Sequence, residues 1–494
     1  MKPVIRLLVL LLLPLLLLGE NVQAEDHLAK EISGREILTH CEHFGAPERL
    51  FDGNPYRWQR AETDASLTLE SEEGIGSFYV IFNDQVGGYR VKNEDDGREA
   101  VCGEKGYLHD YVDVKALFGG APTSITLSFG DLRPQIGELR VFTEGQPPAD
   151  VQQWKEAPEE GVDLLVLPTH GDDEQLFFAG LLPYYAGEKQ YEVQVAYSTN
   201  HYNYGKDRPH EMLDGLWAVG VTNYPVFGPL PDYLTRNERD AVAMLKQAGI
   251  EREQVVGYVV ELLRRFQPLV AVGHDLNGEY GHGSHRLYGH ALQEAAEISM
   301  DPEQYPESAE QYGVWNVPKV YLHLYEEQPI HVNWDIPLEH FGGMTAYEVT
   351  KTYGFPAHES QYPDFAWYFA ARDTAESIPE HGPCDYGLTH TTVGPDEGKD
   401  DMFEHLLSRA EQKKLEEEQK QKEEEQERKR QEEERKKKEA EKKAAALEAE
   451  RLAAEQAEQA AEAARQKKQT CIYLGLGIAA MAGLLVLVII KIRK

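Results

Sequence analysis

The sequence predicts an α/β fold, a mostly parallel sheet flanked by helices, preceded by an all-β sandwich and followed by a long charged helix and one transmembrane helix. Three observations predict it. Beyond about residue 160, apolar strand-like runs alternate with amphipathic helical stretches. Residues 30–148 instead alternate apolar and polar side chains between clusters of Gly, Asn and Asp. Near the end of the 494-residue chain, Cys471 to Ile490 is an uncharged stretch of 20 residues.

Taken in order, the N-terminus comes first. Lys2 and Arg6 precede a Leu-rich run from Leu7 to Leu18, and Val22-Gln23-Ala24 stands before Glu25. A basic start, a short apolar run and small residues at a cleavage point read as a secretory signal peptide over residues 1–24, with an uncleaved anchor as the rival. In residues 30–148 the runs Ser66 to Glu70, Ser77 to Phe82 and Ser124 to Phe129 are strand signals spaced for a β-sandwich. Gly145-Gln146-Pro147-Pro148 marks a boundary.

In residues 160–402, Val162 to Leu167, Tyr191 to Tyr197 and Leu269 to Val272 read as strands. Gln175 to Ala186, Arg252 to Phe266 and Ser284 to Ile298 read as helices. Alternation of this kind implies a largely parallel sheet, whose ligands sit beyond the C-terminal strand ends.

Residues 403–469 collapse to Glu, Lys, Arg, Gln and Ala, with 18 Lys plus Arg against 19 Glu. The segment is nearly neutral, so the net charge of −35 belongs to the domains before it. Opposite charges at i,i+3 and i,i+4 support a helix without tertiary packing. A helical stalk follows, as a solitary charged helix or as a coiled coil through which copies could self-associate. Residues 471–490 are long enough to cross a bilayer. Lys491, Arg493 and Lys494 in the tail, residues 491–494, place the C-terminus in the cytoplasm and the preceding domains outside the cell.

Composition also excludes. A strongly acidic chain without a basic patch does not bind nucleic acid. Four cysteines are too few for a disulfide-built fold, although Cys41 and Cys102 share one region and could pair.

Candidate chemistry lies at two strand ends. His170-Gly171-Asp172-Asp173-Glu174 follows the first strand, and His274 to His285 carries three histidines in twelve residues before a helix. Acids at a helix start are often caps. Imidazoles and carboxylates from two strand ends of one crevice instead suit zinc or ferrous iron, with positions left for water and substrate.

These residues resemble the LmbE/PIG-L family of metal-dependent N-acetylglucosaminyl deacetylases: His170-x-Asp172-Asp173-Glu174, Asn277-Gly278-x-Tyr280-Gly281-His282-x-x-His285, and Arg208-x-x-Glu211 followed by Gly215 and Val219-Gly220. The resemblance covers about residues 160 to 375 and implies a Rossmann-like, LmbE-like sheet. It implies that His170, Asp173 and His285 bind Zn2+ or Fe2+, and that Asp172 is the general base. Tyr280 would polarise the acetyl carbonyl, His282 would assist the tetrahedral intermediate and leaving amine, and Arg208 would contact sugar hydroxyls. Glu174 and Asp275 match with roles less defined. Two residues depart from the family: Gly171 stands where proline is usual, and Ser284 where an aspartate tunes the neighbouring histidine.

Two further loops are weaker candidates: Pro231-Asp232 lies where members of that family often place substrate contacts, and His358-Glu359-Ser360-Gln361 resembles a family His-x-Ser-Gln segment. Both read as loop structure ahead of contact, and Arg264, Arg265, His40 and His43 as solvated faces. Leu50-Phe51-Asp52-Gly53-Asn54 with Trp58 resembles features of discoidin or galactose-binding-like sandwiches, which implies a sugar-binding tip or a spacer. The whole reads as a membrane-anchored deacetylase of an N-acetyl amino sugar in a glycan or glycoconjugate. A catalytically degenerate glycan-binding or adhesion protein is the alternative, and an assembly role for the stalk a third reading.

Overall fold

The computed structural model describes residues 27–203 and 207–493. The expected signal peptide, residues 1–24, and Lys494 of the tail lie outside them. The described residues up to Glu411 form one compact unit and Gln412 onward a second. The chain is a mixed α/β protein.

Eight antiparallel strands come first: β1 (Leu38–Phe44), β2 (Gln59–Glu70), β3 (Ser77–Phe82), β4 (Tyr89–Asn93), β5 (Glu99–Cys102), β6 (His109–Asp113), β7 (Ser124–Ser128) and β8 (Gln135–Phe142). Their hydrogen-bonded order is β5-β4-β7-β2-β8-β3-β6, with β1 on β2. Two separate sheets are expected from the sequence; instead one path wraps a common core and is nearly barrel-like. The reason is β2. Its 12 residues pair with β8 at Gln59 and Arg60 and with β7 from Ser66 to Glu70, so one strand belongs to both halves. All four cysteines are free thiols, Cys41 and Cys102 included.

The second sheet runs β10-β9-β11-β12-β14-β13, with β9 (Leu164–Val166), β10 (Val193–Val195), β11 (Val270–Gly273), β12 (Lys319–His323), β13 (Pro329–His331) and β14 (Asp385–Thr391). The first four strands are parallel. The last two pair antiparallel, a departure from the parallel sheet expected.

Side chains on β9 alternate as a pleated strand requires: Leu164 and Val166 enter one apolar core, Leu165 and Leu167 the other. Helices cover both faces, which is why these strands read as continuous apolar runs. The relevant helices are α1 (Asp173–Leu176), α2 (Arg208–Ala218), α3 (Arg252–Phe266) and α4 (Gly283–Ile298). Met212, Leu213 and Leu216 of α2 pack on the first face; Val255, Val259 and Leu263 of α3 and Leu287 and Ala291 of α4 pack on the second.

Where one long helix is expected over Gln175 to Ala186, α1 ends after one turn and a separate turn runs Pro183–Glu188, with Gly180 between them at φ +89°. Arg264 is not on a solvated face. It is fully buried and donates to the carbonyls of Ser299, Asp301, Gln304 and Tyr305, tying α3 to the chain after α4.

The second unit lies within helix α5 (Arg409–Ile492). Its charged part carries i,i+4 pairs such as Glu425–Lys429 and Glu432–Lys436. Its apolar end is long and apolar enough to cross a membrane by length and composition.

Candidate metal centre

β9 and β11 are parallel neighbours, so the chain leaves both at the same sheet edge. His170 to Glu174 follow β9, and His274 to His285 follow β11 and lead into α4. His170, Asp172, Asp173, His282 and His285 are all buried there.

Asp173 Oδ2 accepts the His170 backbone N–H at 2.7 Å. It lies 3.2 Å from His170 Nδ1 and 3.3 Å from His285 Nε2. Those two ring nitrogens are themselves 3.1 Å apart. Ligand atoms around a tetrahedral cation with bonds of about 2.0–2.1 Å stand roughly 3.3 Å from one another, so the three predicted ligands fit a zinc-sized ion. Two overlapping donor groups could hold one: His170, His282 and His285, and Asp173, His274 and His285. His274 is the weaker member, because its Nε2 accepts the Thr169 N–H at 2.9 Å.

The adjacent acids occupy opposite environments. Burial opposes ionisation of Asp173, but His285, His170 and His274 hold its carboxyl well below the usual range. Burial pushes Asp172 up, against the pull of Arg208, whose Nη2 is 3.4 Å from Asp172 Oδ1. Their surroundings thus push the two adjacent carboxyls apart. Arg208, expected at sugar hydroxyls, thus stands beside the candidate base.

His282 is driven down to about 3 by burial and by the neighbouring His285 and His170, so it is a neutral ring at neutral pH. Its Nδ1 is buried without a hydrogen-bond partner among the described residues. Tyr280 is 46% exposed at the mouth of the site, with its ring 5.6 Å from that of His282. Burial of the phenol and the surrounding carboxylates raise it far above its ordinary value, keeping it a donor. It adopts left-handed φ 44°, and its backbone N–H donates to His381 Nε2.

Gly171 makes room for a neighbouring helix. A Cβ there would lie 2.3 Å from Met212 Sδ, so its lack of a side chain lets α2 approach the metal-site turn. Its N–H donates to the buried His201 Nε2 at 2.8 Å.

Both loops read as structure ahead of contact reach the site. Asp232 Oδ1 is 3.2 Å from His170 Nε2. Burial opposes the charge on His170, yet Asp173 and Asp232 raise it to about 9, while Asp232 falls to about 2 because His170 outweighs its own burial. His358 Nε2 lies 2.9 Å from Glu174 Oε1 in a fully buried pair, and Ser360 donates from its N–H and hydroxyl to Glu211. The matching Glu174 and Glu211 are therefore held by the His358 loop. Asp275 caps the loop, accepting the Asn277 N–H. Glu279 and His323, which the sequence does not single out, join His274 and His285 in one buried network; an isolated Glu between Gly278 and Tyr280 gives no local signal.

The β region meets this site through α2. Trp58, the aromatic expected at a sugar-binding tip, packs on the His210 ring at 5.0 Å, and His109 Nε2 lies 2.9 Å from His210 Nδ1. His210 sits between Arg208 and Glu211.

No protein-family model matches the chain. In sequence it is 42% identical over 74 residues to 1D-myo-inositol 2-acetamido-2-deoxy-alpha-D-glucopyranoside deacetylase 2 of Saccharopolyspora erythraea, which is 15% of this chain and 26% of that one. The chain thus spans about a quarter of that relative's length. In structure it is similar to a conserved protein of Thermus thermophilus, at 14% identity and TM-score 0.32, over 47% of this chain and 97% of that one. It is also similar to N,N'-diacetylchitobiose deacetylase from Pyrococcus horikoshii, at 16% identity and TM-score 0.30, over 47% and 84% of the two chains. Structural likeness this low carries no weight for activity.

Proposed function

We propose that this chain is a metal-dependent deacetylase that hydrolyses the N-acetyl group of an amino sugar, N-acetylglucosamine-like, in a glycan or glycoconjugate. The observation that carries the reading is the division of the two adjacent acids. Asp173 is held ionised among imidazoles, and Asp172 is raised by burial, 3.4 Å from Arg208. The sequence match to a named sugar deacetylase supports the same class.

His170, Asp173 and His285 would hold Zn2+ or Fe2+, since two imidazoles and a carboxylate suit both. A divalent ion there would lower the pKa of a water toward about 7 and polarise the acyl oxygen. Asp172 takes the proton as water attacks the acetyl carbon, and Arg208 steadies the carboxylate. Tyr280, kept protonated, donates to the developing oxyanion. His282 starts neutral, so it can take over the proton that Asp172 removed from the water and pass it to the amine nitrogen as the C–N bond breaks. The products are acetate and a free amino sugar.

The C-terminal helix would anchor the enzyme in the cell membrane, with the sheets outside and the tail in the cytoplasm. The buried His282 Nδ1, without a hydrogen-bond partner among the described residues, favours one second reading, a catalytically degenerate glycan-binding protein. Acetate release from N-acetylated oligosaccharides separates the two. Deacetylase activity that disappears with chelator and in His170→Ala is expected; activity surviving both contradicts the metal assignment, and none in the metal-loaded protein supports the degenerate reading.

A further inference from the structure

Glu279 opens the short turn Glu279–Gly281, is fully buried, and has no part in the reaction described above. Its carboxylate meets three imidazoles. Oε2 lies 2.8 Å from His274 Nδ1 and 2.7 Å from His285 Nδ1, while Oε1 lies 2.7 Å from His323 Nδ1 and accepts the Asp275 N–H at 3.3 Å.

The far sides of two rings fix where the protons are. His274 Nε2 accepts the Thr169 N–H, so its own proton is on Nδ1. His323 Nε2 faces the Gly382 carbonyl at 2.9 Å, which only accepts, so that nitrogen is a donor. The His274 Nδ1–H and the Asp275 N–H thus donate to Glu279, one to each carboxylate oxygen. His285 Nδ1 faces Glu279 Oε2 at 2.7 Å, and its Nε2 faces Asp173 and His170, 3.3 and 3.1 Å away.

We propose that Glu279 is a positioning residue that locks His285 in the Nδ1–H tautomer and orientation, presenting the Nε2 lone pair to a divalent cation. The cation part rests on the deacetylase reading; the tautomer part does not. Metal-bound histidines in general need such a partner on the second nitrogen. Here one carboxylate serves the ligand His285 and two further rings, so β11, α4 and β12 are fastened to a single buried group.

Glutamine is nearly the same size but lacks the charge. With its carbonyl toward His274 and His285, a neutral oxygen replaces the carboxylate and its NH2 meets the Asp275 N–H, a donor. Turned around, its NH2 faces His285 Nδ1, which must then accept, and the proton moves to Nε2 where the cation would bind.

The test uses the full-length protein with 15N-labelled histidine. In the zinc-free wild type, imidazole 15N shifts followed through the His285 titration should show Nε2 losing its proton and Nδ1 keeping it; a neutral ring protonated on Nε2 overturns the proposal whether or not any variant folds. In folded Glu279→Gln, competition with a chelating indicator should show zinc affinity lowered about 10- to 100-fold. His323→Asn, which leaves the His285–Glu279 contact in place, should stay close to wild type in affinity. Unchanged affinity in Glu279→Gln, or equal loss in both variants, overturns the positioning role. A wild type that binds no zinc yet keeps the Nδ1–H tautomer supports the lock and contradicts the deacetylase reading instead.

Discussion

Replacing Gly171 by alanine should destabilise the protein through one identifiable clash. The added Cβ would stand 2.3 Å from Met212 Sδ and 2.5 Å from Met212 Cγ, where ordinary contact begins at 3.4 Å. Met212 is fully buried in the core beside Leu213 and Leu216, so its side chain can retreat only by pushing α2 or its neighbours by about 1 Å. Overpacking on this scale costs about 1–3 kcal/mol. Gly171→Pro adds a second penalty, because it also deletes the N–H donated to the buried His201 Nε2; leaving that acceptor unpaired costs about 1–3 kcal/mol more. Urea unfolding of the four proteins of a double-mutant cycle, wild type, Gly171→Ala, Met212→Ala and the pair, reads the result. Met212→Ala should recover part of the loss in the alanine background, with a coupling of about 0.5–3 kcal/mol. A Gly171→Ala protein as stable as wild type, with no coupling to Met212, would refute the close-approach explanation for glycine at this position.

Three further outcomes are expected. Asp172→Asn should lower kcat about 10²- to 10⁴-fold while the protein keeps its metal, checked by acetate release and metal content on one sample; loss of the metal would move Asp172 into the ligand set. His358→Leu should cost about 3–5 kcal/mol in urea unfolding, because Glu174 is left buried and unpaired; a loss under about 1 kcal/mol would mean the pair is not formed. Burial raises Asp110 from 3.8 to about 6, against the lowering effect of the Tyr89 hydroxyl bond. Its native pKa exceeds its unfolded one, so the native state binds the proton more tightly and stability falls as pH rises from about 4 to 6. Asp110→Asn keeps an acceptor for Tyr89 and should remove that fall, gaining up to about 3 kcal/mol at pH 7 and little at pH 4. A gain that does not change with pH would contradict this assignment.

What the sequence made legible follows from how local each signal is. The strands and helices from Val162 to Ile298 show because their apolar faces repeat within a short window: α3 is read at its observed bounds, Arg252 and Phe266, and α4 within one residue. β12 to β14 carry weaker local patterns, and their antiparallel pairing is decided only in the sheet. Continuity of the first sheet through β2 is likewise a property of pairing, and no composition reports it.

The site divides in the same way. His170, Asp172, Asp173, His282 and His285 are visible because two strand ends concentrate them in two short loops. Asp232, His323 and His358 arrive singly from distant segments; the short stretches around Asp232 and His358 give only a weak signal, and His323 lies in a strand with none. Glu279 is adjacent to the motif, but only the three ring positions give its carboxylate a purpose.

The central claim is that His170, Asp173 and His285 form a divalent metal site. Elemental analysis of the purified protein, with His170→Ala and Asp173→Ala prepared in parallel, tests it most directly. The account predicts close to one zinc or iron per wild-type chain and a large loss from both variants that remain folded. A wild type without a divalent metal after zinc or iron loading, or variants that retain it in full, would contradict it.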